Sequence, residues 1–200
     1  MPKRTALLDT AKLHAPRLAT QGLNPVVLPR ERKCAETVRP VPATAGAGYL
    51  RWMPRVRRRD LPDGYFHVYT RGVADTVVFV DAEDRRSFLA LLFAARRRYQ
   101  WELHTLCLMT THYHFVLESA CKRLSAGMQW LNGLYAQSFN RRYGRHGHLF
   151  GGRYGSRAIE DEEYLREACD YVLLNPVRAG LCDRASEWPW SATRYGFPDT

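Results

Sequence analysis

Two stretches decide the fold: Glu102-Leu-His-Thr-Leu-Cys-Leu-Met109 and His112-Tyr-His-Phe-Val-Leu-Glu118. Each is mostly apolar, of strand length and too short for a core helix. Thr110-Thr111 separates them, a gap compatible with a hairpin. Residues i and i+2 of a strand share a face. The second strand therefore presents His112 and His114 on one side of the sheet and Tyr113 and Phe115 on the other.

Working outward, the turn signal Leu61-Pro-Asp-Gly64 precedes a further alternating run, with Tyr65, His67 and Tyr69 set against Phe66, Val68 and Thr70. Val77 to Val80 is a short β-branched stretch. Asp81 with Asp84 resembles a capping box. It opens a helix with the stripe Phe88, Leu89, Leu91, Leu92 and Ala95, closed by Arg96-Arg-Arg98 at the favourable end of the helix dipole. After the hairpin, Leu124, Met128, Leu131, Tyr135 and Phe139 predict a helix from about Leu124 to Arg142. Gly144 to Gly155 reads as a glycine-rich loop and Arg157 to Ile159 as a short strand. Glu160 to Asn175 reads as an amphipathic helix stopped by Pro176. Residues 181–200, with their tryptophans and prolines, are expected to pack back on the domain. Strands outnumber crossovers, so the class is α+β, with helices packed on an antiparallel or mixed sheet.

Composition narrows the function. The formal net charge is +10, which points to a polyanionic partner, nucleic acid before an acidic membrane surface. Half of the excess falls within residues 1–50. That segment carries six prolines and no sustained period, and reads as a flexible basic extension over 1–52 ahead of a domain over 53–200. The five cysteines form no Cys-x-x-Cys pair, which argues against a zinc ribbon or disulfide framework and for a reducing cytoplasm. No apolar run approaches the ~18 residues of a membrane span, and no signal-peptide core is seen.

Three constellations can carry chemistry. His112 and His114 can chelate one cation, or can be a hydrogen-bonded pair. Tyr171 and Asn175 lie nearly one turn apart on a helix face; Tyr171 can equally be a rim residue and Asn175 a helix cap. His146-Gly147-His148, flanked by Arg145 and Arg153, is a rival pair. Its glycines make a poor rigid chelator, so it is either a phosphate-contacting loop or a solvated one.

Met109-Thr-Thr-His-Tyr-His-Phe-Val-Leu-Glu118 resembles the His-hydrophobic-His segment of the IS200-like, or REP-associated, tyrosine transposases. Asn140-Arg-Arg-Tyr-Gly-Arg-His-Gly-His-Leu-Phe150 with Gly152-Arg153, Asp170-Tyr-Val-Leu-Leu-Asn-Pro-Val-Arg-Ala-Gly180 and Trp188-Pro-Trp-Ser191 resemble that family's later segments in the same order. Leu61 to Gly72 resembles its opening strand, and Met53-Pro-Arg55 a typical start. Thr111 departs from the family, which commonly has Asn there.

The resemblance implies a ferredoxin-like sheet and an enzyme that nicks and rejoins hairpin-bearing single-stranded DNA through a 5′-phosphotyrosine. It implies His112, His114 and Asn175 as ligands of Mg²⁺ or Mn²⁺ and Tyr171 as nucleophile, in preference to Tyr135, whose place in an apolar stripe suits the core. Arg141, Arg142, Arg145, His148, Arg153 and Arg157 are expected along the DNA backbone, and Tyr154 stacked on an unpaired base. The expected setting is bacterial cytoplasm at the nucleoid, as monomer or homodimer, with no small-molecule cofactor and no membrane. A catalytically silent nucleic-acid-binding protein and a nuclease using activated water are the competing functions.

Overall fold

The structure, a computed structural model, describes residues 63–198. The expected extension over 1–52 and the start at Met53 lie outside the described residues. The main elements are β1 (Gly64–Arg71), α1 (Ala82–Tyr99), β2 (Glu102–Leu108), β3 (His112–Ser119), α2 (Cys121–Tyr143), β4 (Gly155–Ile159), α3 (Glu162–Leu173), α4 (Asn175–Arg178) and β5 (Ser191–Thr193).

The strands form one sheet in the order β4-β1-β3-β2-β5, with every neighbouring pair antiparallel. β1 and β2 flank β3, and β3 and β4 flank β1. Helices α1 and α2 thus make the two crossovers of a ferredoxin-like β-α-β-β-α-β unit, and the expected α+β class holds. The expected tail closes the sheet. The Leu108 amide donates to the Trp190 carbonyl, the Trp188 indole donates to the Leu108 carbonyl, and β5 pairs with β2.

The period-2 pattern sorts the sheet into two unlike faces. Phe66, Val68, Tyr113, Phe115 and Leu117 are fully buried against Phe88 and Leu92 of α1 and Leu124, Met128, Leu131 and Tyr135 of α2. Burying side chains of this size stabilises by about 1.5–3 kcal/mol each, so this face supplies most of the core. On the opposite face a smaller cluster joins Cys107 and Val116 to Leu165, Ala168, Cys169 and Val172 of α3. α3 covers only part of that face, and the remainder carries the histidines.

Helix ends follow side-chain chemistry. Asp81 caps α1 by accepting from the amides of Glu83 and Asp84. Asp84 does not close a capping box. It is buried and accepts instead from the Val80 amide, the Tyr143 hydroxyl and Arg142. Val77 to Val80 is consequently no strand: the Val78 and Phe79 amides both donate to the Thr110 carbonyl, tying this segment to the hairpin tip. α3 stops at Leu173 rather than running to Asn175, and the chain turns into α4 with Pro176 in its first turn, where a missing amide costs nothing. Gly180, at φ +67°, ends α4; its amide donates to Val177 and that of Leu181 to Pro176, satisfying the last carbonyls. Among the described residues no helix is long and apolar enough to cross a membrane.

Candidate active site

β1 and β3 pair across 47 residues of sequence and bring a third histidine to the pair foreseen on β3. Tyr69 lies opposite His114, Arg71 opposite His112 and Val116 opposite His67. All the odd-numbered side chains of β1 therefore share the face of His112 and His114. The His67 and His114 rings stack 5.2 Å apart, with His67 Nε2 3.0 Å from His114 Nδ1. His112 and His114 lie 5.1 Å apart, nearly perpendicular. Tyr171 reaches over from α3 and sets its ring edgewise 5.6 Å from His67 and 5.9 Å from His114. It stays 41% exposed. The Arg178 guanidinium lies 4.9 Å from the Tyr171 ring centre, a cation–π contact fixed by the capped turn of α4.

Burial decides the protonation of the cluster. His67 falls to about 4 through burial first and the Arg157 charge second. His112 falls to about 4 through burial and Arg71. His114 lies well below the usual imidazole range through burial, with His67 and His112 adding to the effect. Neutral imidazole is the form that binds a metal.

The residues fit a divalent cation. Imidazoles bound at ~2.1 Å to one ion place their ring centres roughly 5 Å apart, as His112 and His114 do. Each has its Nδ1 engaged by a neighbour, His67 for His114 and the Thr111 hydroxyl for His112. That leaves both Nε2 atoms for an ion, with outer partners to fix the rings. Thr111, the departure from the family pattern, thus orients the first histidine. Among the described residues no group of three or more His, Cys, Asp or Glu side chains is gathered for a metal; the set in question is two imidazoles and an amide. Asn175 follows Tyr171 by one turn, and its side-chain amide donates to the carbonyls of Tyr171 and Val172. These bonds make it a helix cap and leave its oxygen uncommitted to them.

The other expected contacts divide. Arg157 lies opposite His67 on β4 and donates to the Tyr164 hydroxyl. Arg153 is exposed and has no acidic partner among the described residues. Arg141 is exposed near the end of α2; Arg145 covers the Phe139 ring, and His146 and His148 are exposed in the following loop. Of these, Arg157 stands beside the histidine cluster. Arg142 is committed to Asp81 and Asp84 at 2.7 and 2.5 Å, so it braces α2 against α1 and is not free to track a backbone. Tyr154 is corrected: it is 6% exposed, with its hydroxyl 2.9 Å from that of Ser125, and cannot offer a face to a base. Tyr135 is 1% exposed and donates to the Val78 carbonyl, which keeps it in the core.

Sequence reading did not assign His67, Tyr69, Arg71 or Arg178. Alternation had placed His67 and Tyr69 on one face of their strand, but only the β1–β3 register shows that it is the face of His112 and His114. Arg178 sits in the quoted Asn-Pro-Val-Arg run with no local signal of its own.

The family model described as IS200-like transposase matches residues 63–174, and the chain belongs to this family of DNA-processing enzymes. A solved REP-associated tyrosine transposase bound to a REP hairpin matches with a TM-score of 0.58 at 18% identity, over 70% of this chain and 82% of its own, which shows a shared fold. A candidate transposase from Deinococcus radiodurans R1 matches at 16% identity and a TM-score of 0.42, over 57% of this chain and 92% of its own. No curated protein matches the chain.

Proposed function

We propose that the protein cuts and rejoins hairpin-bearing single-stranded DNA, with Tyr171 as nucleophile. The observation that carries this reading is the exposed Tyr171 ring set edgewise on half-buried His67 of β1 and buried His114 of β3. The Tyr171 oxygen attacks the phosphorus of a phosphodiester. The bond to the 3′ oxygen breaks, that oxygen leaves as a 3′-hydroxyl, and the 5′ side stays linked to the protein as a phosphotyrosine. The tyrosine proton passes to water and the departing 3′ oxygen takes one up from water, so no net proton is gained or lost. Because the new ester replaces the old one, the reverse step can seal another strand without a nucleotide triphosphate.

His112 and His114, with the Asn175 side-chain oxygen, would hold Mg²⁺ or Mn²⁺; Mn²⁺ tolerates imidazole better than Mg²⁺ does. When bound, such an ion neutralises charge on a non-bridging phosphate oxygen. His67 keeps His114 in one orientation, and Arg178 restrains the Tyr171 ring while adding positive charge where an anionic phosphate must approach. Arg141, Arg145, Arg153, Arg157 and His148 supply the outer contacts to the strand. The hairpin-bound relative of the same fold supports hairpin DNA as the partner.

The test is incubation with a pool of labelled hairpin oligonucleotides from the host genome in Mn²⁺, followed by denaturing electrophoresis. The expected result is a covalent adduct lost with chelator and lost in Tyr171→Phe. Cleavage without an adduct, surviving Tyr171→Phe, would replace this reading with hydrolysis by activated water. Tight binding with neither would make the protein a silent binding module.

A further inference from the structure

Beside the histidine face, a groove of about 300 Å³ runs between the end of β1 and the loop before β4, lined by Tyr69, Arg71, Gly151, Gly152, Arg153 and Gly155. We infer that this groove is a subsite for one unpaired nucleotide of the bound strand, its base against Tyr69 and its phosphate toward Arg153. The inference rests on the strand-transfer reading for its place in the reaction, but not for the binding itself.

The groove is continuous with the site, because the Tyr69 ring lies 5.7 Å from His67 and 6.0 Å from His114. Tyr69 is 45% exposed, unusual for a large aromatic in the middle of a sheet. One side of the ring rests on Gly155: a Cβ there would fall 2.3 Å from Tyr69 Cζ. The floor is fixed by backbone bonds, with the Gly151 amide donating to Arg71 and the Val73 amide to Leu149. Buried Tyr154 anchors the loop, so that exposed Arg153 stands at its rim. Arg71 is paired with the exposed Asp75, leaving Arg153 the stronger candidate for a phosphate. The volume is at the lower bound for ligand pockets, and an aromatic wall with a cationic rim is the chemistry that holds single strands with little regard to sequence.

The test compares two probes by fluorescence anisotropy in chelator: an oligothymidylate octamer and an octamer of abasic deoxyribose phosphates. Tyr69→Leu is expected to weaken the oligothymidylate by about tenfold and leave the abasic octamer unchanged. Gly155→Ala, which keeps Tyr69 but drives its ring aside, is expected to do the same. Arg153→Gln is expected to weaken both probes equally and lower the slope of log affinity against log salt by ~0.7. Thermal midpoints confirm that each variant is folded. A Tyr69→Leu variant that weakens both probes alike, or neither, overturns the base contact; an unchanged salt slope in Arg153→Gln overturns the phosphate contact. Wild-type protein that forms a hairpin adduct but does not distinguish the octamers loses the subsite and keeps the strand-transfer reading. Discrimination of the octamers without any adduct does the reverse.

Discussion

The two faces of the sheet are built by the same alternation and do opposite work. Toward α1 and α2, Phe66, Val68, Tyr113, Phe115 and Leu117 interlock with helix side chains and exclude water completely. One residue along each strand, His67, His112 and His114 face the partly covered side beneath α3, where they are held neutral beside an exposed tyrosine and three arginines. The first face can satisfy itself by packing. The second carries polar groups that pair among themselves, His67 with His114 and His112 with Thr111, and on the proposed reading a metal and an anionic strand would bind there. The difference teaches that stability and chemistry are separable here, face by face.

Acid is the broadest way to break that separation. His67 and His112 titrate at about 4 when folded, against 6.5 unfolded. The unfolded chain therefore takes up protons first, and stability is full above pH 6.5 and lost as the pH falls toward 4. Each shift is worth up to roughly 3 kcal/mol. Urea unfolding at a series of pH values is expected to show this decline, and His67→Phe to make it shallower. A flat profile between pH 7 and 4.5 would mean that the histidine face is not desolvated as described.

Phe115→Ala attacks the other face and is expected to cost ~3–5 kcal/mol in unfolding free energy, without changing which tyrosine reacts. Smaller, and confined to the site, is His67→Phe at neutral pH. Loss of the outer partner of His114 is expected to weaken Mn²⁺ binding by ~10–100-fold, read by calorimetry, while the thermal midpoint holds or rises. Equal metal affinity would remove His67 from the site. Smallest is Gly180→Ala, which forces a side chain into a left-handed turn at φ +67°. A loss of ~1 kcal/mol is expected, together with slower adduct formation, because the turn seats Arg178 on Tyr171.

The face that packs was the more legible of the two. The stripes at Phe88 to Ala95 and Leu124 to Phe139 are long and periodic, and the hairpin places His112 and His114 by spacing alone. What local spacing does not carry is pairing at a distance. His67 joins the site only through the β1–β3 register, and Arg71 and Tyr69 come with it. Tyr154 read as an exposed loop aromatic because nothing nearby in sequence announces Ser125 on α2 as its partner. The break at Leu174 was hidden because Pro176 at the start of a new turn looks the same as Pro176 after a finished helix. β5, only Ser-Ala-Thr, owes its strand to the Trp190 and Leu108 backbone rather than to any pattern of its own.

The most direct measurement is mass spectrometry of the digested covalent complex formed with hairpin DNA in Mn²⁺. The peptide containing Tyr171 is expected to carry the nucleotide, with the modification fragmenting to a phosphotyrosine at that residue. A nucleotide on any other residue would contradict the central claim, because it would leave the ring set against His67 and His114 without a part in the reaction.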